Sequence, residues 1–141
     1  MEGVSSHSCN FQSKSNSNLK ILYFNARSLL PKFDELLLLT DFHRPDVICI
    51  TESWLCLDIL DSEISIPGFQ TMRLDRNRHG GGVLMYVSDK YIVKRLPSHA
   101  SLELLAVTLI VVIIDPVCHC FIVLLAHQLI FCILFTVILS Q

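Results

Sequence analysis

The sequence predicts an α+β domain running from about residue 19 to residue 112, and three observations predict it. Apolar runs of strand length recur at 19–24, 47–50, 69–74, 83–87 and 102–112. A single helical pattern, at 32–42, lies between the first two. Charge is ordinary up to Glu103 and then nearly vanishes, with Asp115 the only Asp, Glu, Lys or Arg beyond it.

Residues 1–18 are rich in Ser and Asn and poor in apolar side chains, so they are expected to be disordered. Leu19 to Phe24, with Ile21, Tyr23 and Phe24, reads as a central strand. Ala26, Arg27 and Ser28 turn the chain, and Pro31 suits the first turn of a helix. Phe33, Leu36, Leu37 and Leu39 supply the helix's apolar face, with Asp34 and Glu35 near its positive end. Arg44-Pro45-Asp46 ends it. Val47 to Ile50 is apolar on both faces, as a strand covered on both sides must be. Strand, short helix and strand form a βαβ-like unit whose two strands are neighbours or near-neighbours. Pro67-Gly68 turns into a strand at 69–74, Gly80-Gly81-Gly82 leads into one at 83–87, and a further strand covers 102–112.

Charged residues make up 17% of the chain, against about 25% in an ordinary soluble domain. The deficit lies in the last part, so the front is a normal globular sequence. A net charge of −2 excludes a global basic field for nucleic acid, though a divalent cation can supply local positive charge. Cys9, Cys49, Cys56, Cys118, Cys120 and Cys132 fit no disulfide framework, and the first residues lack a secretory signal pattern, so reduced thiols are expected. Cys118, His119, Cys120 and His127 lack the paired Cys-x2-Cys spacing of a zinc site.

Asn25 and Glu52 are the main candidate site. Each is a polar residue closing a buried apolar strand, which packing explains poorly and a metal and phosphate site at a sheet's carboxyl edge explains well. A carboxylate there can hold a hard cation such as Mg2+. The bland alternative makes Asn25 a turn cap and Glu52 a solvated loop residue.

Three motifs in order make the pattern more specific: Asn25-Ala26-Arg27-Ser28-Leu29, Asp46 to Leu55 with Glu52 inside it, and Arg76 to Val87 with Gly80-Gly81-Gly82. From about Leu19 to Ile110 the chain resembles the endonuclease/exonuclease/phosphatase superfamily. More narrowly it resembles the N-terminal half of the apurinic-type endonuclease domain of LINE-like non-LTR retrotransposons. The resemblance implies a partial αββα sandwich with the site at one rim, and Mg2+-dependent cleavage of a DNA phosphodiester. It implies Glu52 as the metal ligand and Asn25 in the polar network around the scissile phosphate, the two catalytic positions. Arg27, Arg76 and Arg78 become candidate DNA-phosphate contacts, each equally readable as a solvated loop charge. His79 reads as a loop residue. The three glycines read as a tight turn rather than a phosphate cradle, since no helix start follows them. Trp54 reads as core packing beneath the rim, and Glu103 matches an acidic position whose role is either structural or functional.

The family's second-half motifs do not follow: a Tyr-Arg-Pro-Pro-like strand end, Gly-Asp-x-Asn and Ser-Asp-His. These supply the base that activates water and the groups that stabilise the transition state. The chain by itself is therefore expected to be an inactive, truncated relative, with the inner face of its remaining sheet exposed.

Residues 113–141 are mostly apolar, and Val117 to Leu139, interrupted only by His119, His127, Gln128 and Thr136, is long enough for a transmembrane helix. Two readings stay open. One is an out-of-frame translation replacing the true second half, in a nuclear or cytoplasmic retrotransposon relic. The other is a membrane anchor over 117–139 on a non-catalytic cytosolic front. Lys94 and Arg95 suit the second, whereas the missing aromatic and basic flanks oppose it.

Overall fold

The structure, a computed structural model, describes residues 5–8, 19–98, 103–112, 117–125 and 128–132. Among these the fold is α+β, with one α-helix and nine strands. In chain order these are β1 (Ser5–Ser8), β2 (Lys20–Asn25), α1 (Phe33–His43), β3 (Val47–Thr51), β4 (Phe69–Leu74), β5 (Val83–Ser88), β6 (Ile92–Arg95), β7 (Leu105–Val112), β8 (Val117–Leu125) and β9 (Gln128–Cys132). One sheet runs β1-β2-β3-β5-β4 and the other β6-β7-β8-β9. β2 and β3 are parallel neighbours, with Ile21 opposite Val47 and Asn25 opposite Thr51, as the strand–helix–strand unit requires.

Helix α1 is the crossover between these two strands. A 3-10 turn at Leu30–Lys32 carrying Pro31 leads into it, and Asp34 and Glu35 stand in its first turn. Arg44 ends it in the left-handed region (φ 47°), its N–H donating to the Thr40 carbonyl at 2.9 Å. That is the αL cap, and Pro45 beyond it bars continuation.

Alternation along the strands separates two cores. Leu22, Phe24, Ile48, Ile50, Leu84 and Tyr86 face Leu36 of α1 together with Leu29, Leu55 and Ile64. The Tyr86 hydroxyl donates to the Ile64 carbonyl at 2.7 Å, and burial raises its pKa. On the opposite face, Ile21, Val47, Cys49, Val83, Met85 and Val87 meet Leu105, Val107, Leu109 and Leu124 of the second sheet. Burial pushes the Cys49 thiol up to about 12, so it behaves as a small apolar side chain rather than a nucleophile.

The second core corrects an expectation. The inner face of the first sheet is covered, not exposed, because β7 and β8 lie across it. The tail differs as well. Its described residues form strands β8 and β9, not a helix, with Leu105 opposite Leu124 and Val112 opposite Val117 in the β7–β8 pair. Among the described residues no helix is long and apolar enough to cross a membrane. At the front, Ser5–Ser8 pairs antiparallel with β2, although residues 1–18 were expected to be disordered. Residues 1–4, 9–18, 113–116, 126–127 and 133–141, over which the disorder and tail readings also extend, lie outside the described residues. So do the side chains of Cys118, His119, Cys120 and His127.

At the edge of the first sheet opposite Glu52, buried Asp46 ties three segments together. Its Oδ2 accepts the Lys20 N–H at 2.7 Å, its carbonyl accepts the Ser88 N–H, and its carboxylate pairs with Lys90. That hydrogen bond raises the Lys90 pKa.

Candidate functional site

The site lies where β2 and β3 end side by side. Asn25 is the last residue of β2 and pairs with Thr51, immediately before Glu52. The two turns beyond run together. The Ala26 N–H donates to the Thr51 carbonyl at 2.9 Å, the Ser28 N–H to Glu52 at 3.1 Å and the Leu29 N–H to Ser53 at 3.0 Å. Parallel pairing thus continues past the strands and delivers Asn25 and Glu52 to one rim.

Glu52 is oriented by its neighbours. Its Oε2 accepts the indole N–H of Trp54 at 2.7 Å and the backbone N–H of Gly81 at 3.1 Å. Both donors stabilise the carboxylate and fix its direction. The backbone is bent to make this possible: Glu52 has φ 55° and Trp54 φ 53°, and across the rim Arg27 and Ser28 have φ 45° and 78°. Left-handed conformation in non-glycine residues costs of order 1–3 kcal/mol each and gathers at functional sites. Flanking Glu52, the hydroxyls of Thr51 and Ser53 are fully buried, with no hydrogen-bond partner among the described residues.

The glycines close the third side. Gly81 and Gly82 have φ 70° and 86°, and a Cβ on Gly81 would stand 2.4 Å from Glu103 Oε1. A Cβ on Gly82 would stand 2.5 Å from Ser53 Oγ. Only glycine fits between these side chains. Glu103 is itself buried, with φ 47°; its Oε2 accepts the Gly82 N–H at 3.2 Å and its Oε1 lies 3.5 Å from Arg76 Nη1.

The candidate residues therefore divide. Asn25, Glu52 and Trp54 share the rim. Trp54 is half-buried, and its indole N–H is spent on Glu52, so core packing alone does not describe it. Arg76 reaches the rim through Glu103. Arg27 is exposed in the turn after Asn25. Arg78 is directed elsewhere, to Cys56 Sγ at 3.1 Å and Asp58 at 2.7 Å, hydrogen bonds that raise its pKa. Exposed His79 sits in the turn bridged by Asn77 and Gly80, where its backbone N–H meets Asn77 Oδ1 at 2.9 Å.

Two cations went unnoticed in the sequence. Lys32 Nζ donates to the carbonyls of Ala26 and Arg27, bracing the turn after Asn25. Arg73 binds both oxygens of Asp75, reaches Asp61 at 3.1 Å, and donates to the carbonyls of Ile59 and Cys56 at 2.7 and 2.8 Å. The hydrogen bond to Asp75 is the main cause of its raised pKa. Its bonds hold the 56–61 loop against β4, beside a cleft of about 570 Å³ that also touches Arg76. Neither residue belongs to a motif, and the carbonyls that each one binds carry no side-chain signal in the sequence.

Mg2+ takes one or two protein carboxylates and completes its octahedron with water and phosphate oxygens. Glu52 fits that ligand type: a single carboxylate at a strand end, its Oε2 steadied by two N–H groups, with the exposed Asn25 one strand away. Among the described residues there is no group of three His, Cys, Asp or Glu side chains that could hold a metal. The chain matches no protein-family model and no curated protein.

Proposed function

We propose that the chain is a relative of Mg2+-dependent DNA endonucleases of the endonuclease/exonuclease/phosphatase type, of retrotransposon origin. In this reading it keeps the metal- and phosphate-facing rim without the means to cleave. The observation that carries it is the pairing of β2 with β3, which sets Asn25 and Glu52 side by side on a strained rim. Among the described residues, helix, sheet and second sheet in layers support the αββα reading.

Glu52 would hold Mg2+, and Asn25 would donate its amide to a phosphate oxygen of the DNA backbone. When bound, the ion supplies Lewis-acid stabilisation of charge on the phosphodiester. Gly81 and Trp54 keep the Glu52 carboxylate aimed. Arg76 and Arg27 stand where backbone phosphates would approach. Hydrolysis also needs a base for the attacking water and a donor to the leaving oxygen, and the Gly-Asp-x-Asn and Ser-Asp-His motifs that provide them in such nucleases are missing from this sequence. This chain alone therefore binds without nicking.

The coding nucleotides test the origin. A one-base shift near codon 112 should restore an open frame with Gly-Asp-x-Asn followed by Ser-Asp-His. If neither alternative frame encodes those motifs, the retrotransposon reading of the region beyond Val112 fails.

A further inference from the structure

The Gly81–Gly82 strip is gripped from two sides. From the segment after β3 come Ser53 and Trp54, whose N–H groups donate to the carbonyls of Gly82 at 3.2 Å and Gly81 at 3.0 Å. From the turn before β7 comes Glu103, which takes the Gly82 N–H and leaves no space for a Cβ on Gly81. The Gly81 N–H that results points at Glu52 Oε2. We propose that Glu103 is a positioning residue for Glu52: it sets the glycine strip, and the strip sets the carboxylate.

The cost of Glu103 argues for this role. A carboxylate 8% exposed, on a left-handed backbone, is an expensive way to satisfy one N–H. Its partner Arg76 is 61% exposed, so that ion pair returns little. What Glu103 gains is rigidity at the Gly81 N–H, which meets Glu52. Carboxylate length should matter more than charge, because the contact with Gly82 is a hydrogen bond to an oxygen at a fixed reach. The inference rests on the proposed reading only in naming Glu52 as the functional carboxylate.

The chain has one tryptophan, and it bonds Glu52 directly, so its indole N–H resonance reports the state of that carboxylate. Glu52→Ala defines the position of the released indole. Glu103→Asp draws the carboxylate back by one methylene and should move the resonance at least halfway to that position. Glu103→Gln keeps an oxygen at the same reach and should leave it at the wild-type position. Glu103→Ala, where it folds, should move it fully. A purely structural role predicts lower thermal midpoints for Glu103→Asp and Glu103→Ala with the resonance unmoved, and that result overturns the proposal. A shift in Glu103→Gln as large as in Glu103→Asp also overturns it. The readout involves no cleavage, so it stands or falls apart from the nuclease reading, which Glu52→Gln judges in a nicking assay of a domain completed with the missing motifs.

Discussion

Glu52→Gln, in a domain completed with a second half carrying the missing motifs, should lower Mg2+-dependent nicking of supercoiled plasmid by about 10³-fold, or ~4 kcal/mol of lost transition-state stabilisation. The substitution isolates charge from shape. Glutamine keeps an oxygen for the Trp54 indole and the Gly81 N–H, so the rim geometry survives. What disappears is the anionic ligand that a hard cation requires. Conversion of supercoiled to open-circular DNA on a gel measures the effect, with thermal melting to show that the variant is folded. Nicking at the wild-type rate would remove Glu52 from the metal.

Val107→Asp should unfold the chain at room temperature. Val107 is fully buried in β7, packed into the cluster with Val47, Cys49, Met85 and Leu124. A carboxylate there has no partner, and an uncompensated buried charge costs about 3–5 kcal/mol. The lost apolar burial adds to that, against a total stability of about 5–15 kcal/mol for a domain. Val107→Ala removes two methyl groups and should cost only ~1.6 kcal/mol. Circular dichroism against denaturant distinguishes the two. Equal stability of Val107→Asp and the wild type would mean that β7 does not cover the first sheet, and the two-sheet core would be wrong.

The elements legible in the sequence are those whose side chains state their own geometry. Phe69–Leu74 matches its expected bounds, and β2, α1, β3 and β5 lie within a residue or two of theirs. Each has an apolar pattern bounded by Pro, Gly or a charged turn. The weaker edge strand β6, Ile92–Arg95, is half charged and largely exposed, so its pattern carries no clear period. β8 and β9 are apolar without alternation, and such a run reads equally as strand or spanning helix. Pairing decided between them: β8 completes a hydrogen-bonded ladder with β7 along eight register positions. β1 consists of Ser-Ser-His-Ser, a segment held by backbone pairing with β2 rather than by propensity.

At the site, the pairing of Asn25 with the Glu52 strand end was readable, because a parallel βαβ unit aligns its carboxyl ends. The links from Glu52 to Trp54, and from Glu103 through glycine to Glu52, were not. They depend on left-handed backbone at Glu52, Trp54 and Glu103, which no residue type announces. Arg78 sits in the motif with Arg76 and has the fork that suits phosphate, yet it pairs with Asp58. Arg73 and Lys32 stand in no motif, and the carbonyls they bind, at Ile59, Cys56, Ala26 and Arg27, are not marked by any side chain.

The most direct measurement of the central claim is a Mn2+ titration of the isotope-labelled chain followed by NMR. Mn2+ accepts the same oxygen ligands as Mg2+ and broadens resonances near where it binds. The Trp54 indole N–H, the Asn25 side-chain amide and the Gly81 amide should fade first, and all three should persist in Glu52→Gln. Broadening centred on Asp58 or Asp61, with Trp54 and Asn25 intact, would show that the rim binds no divalent metal and contradict the account.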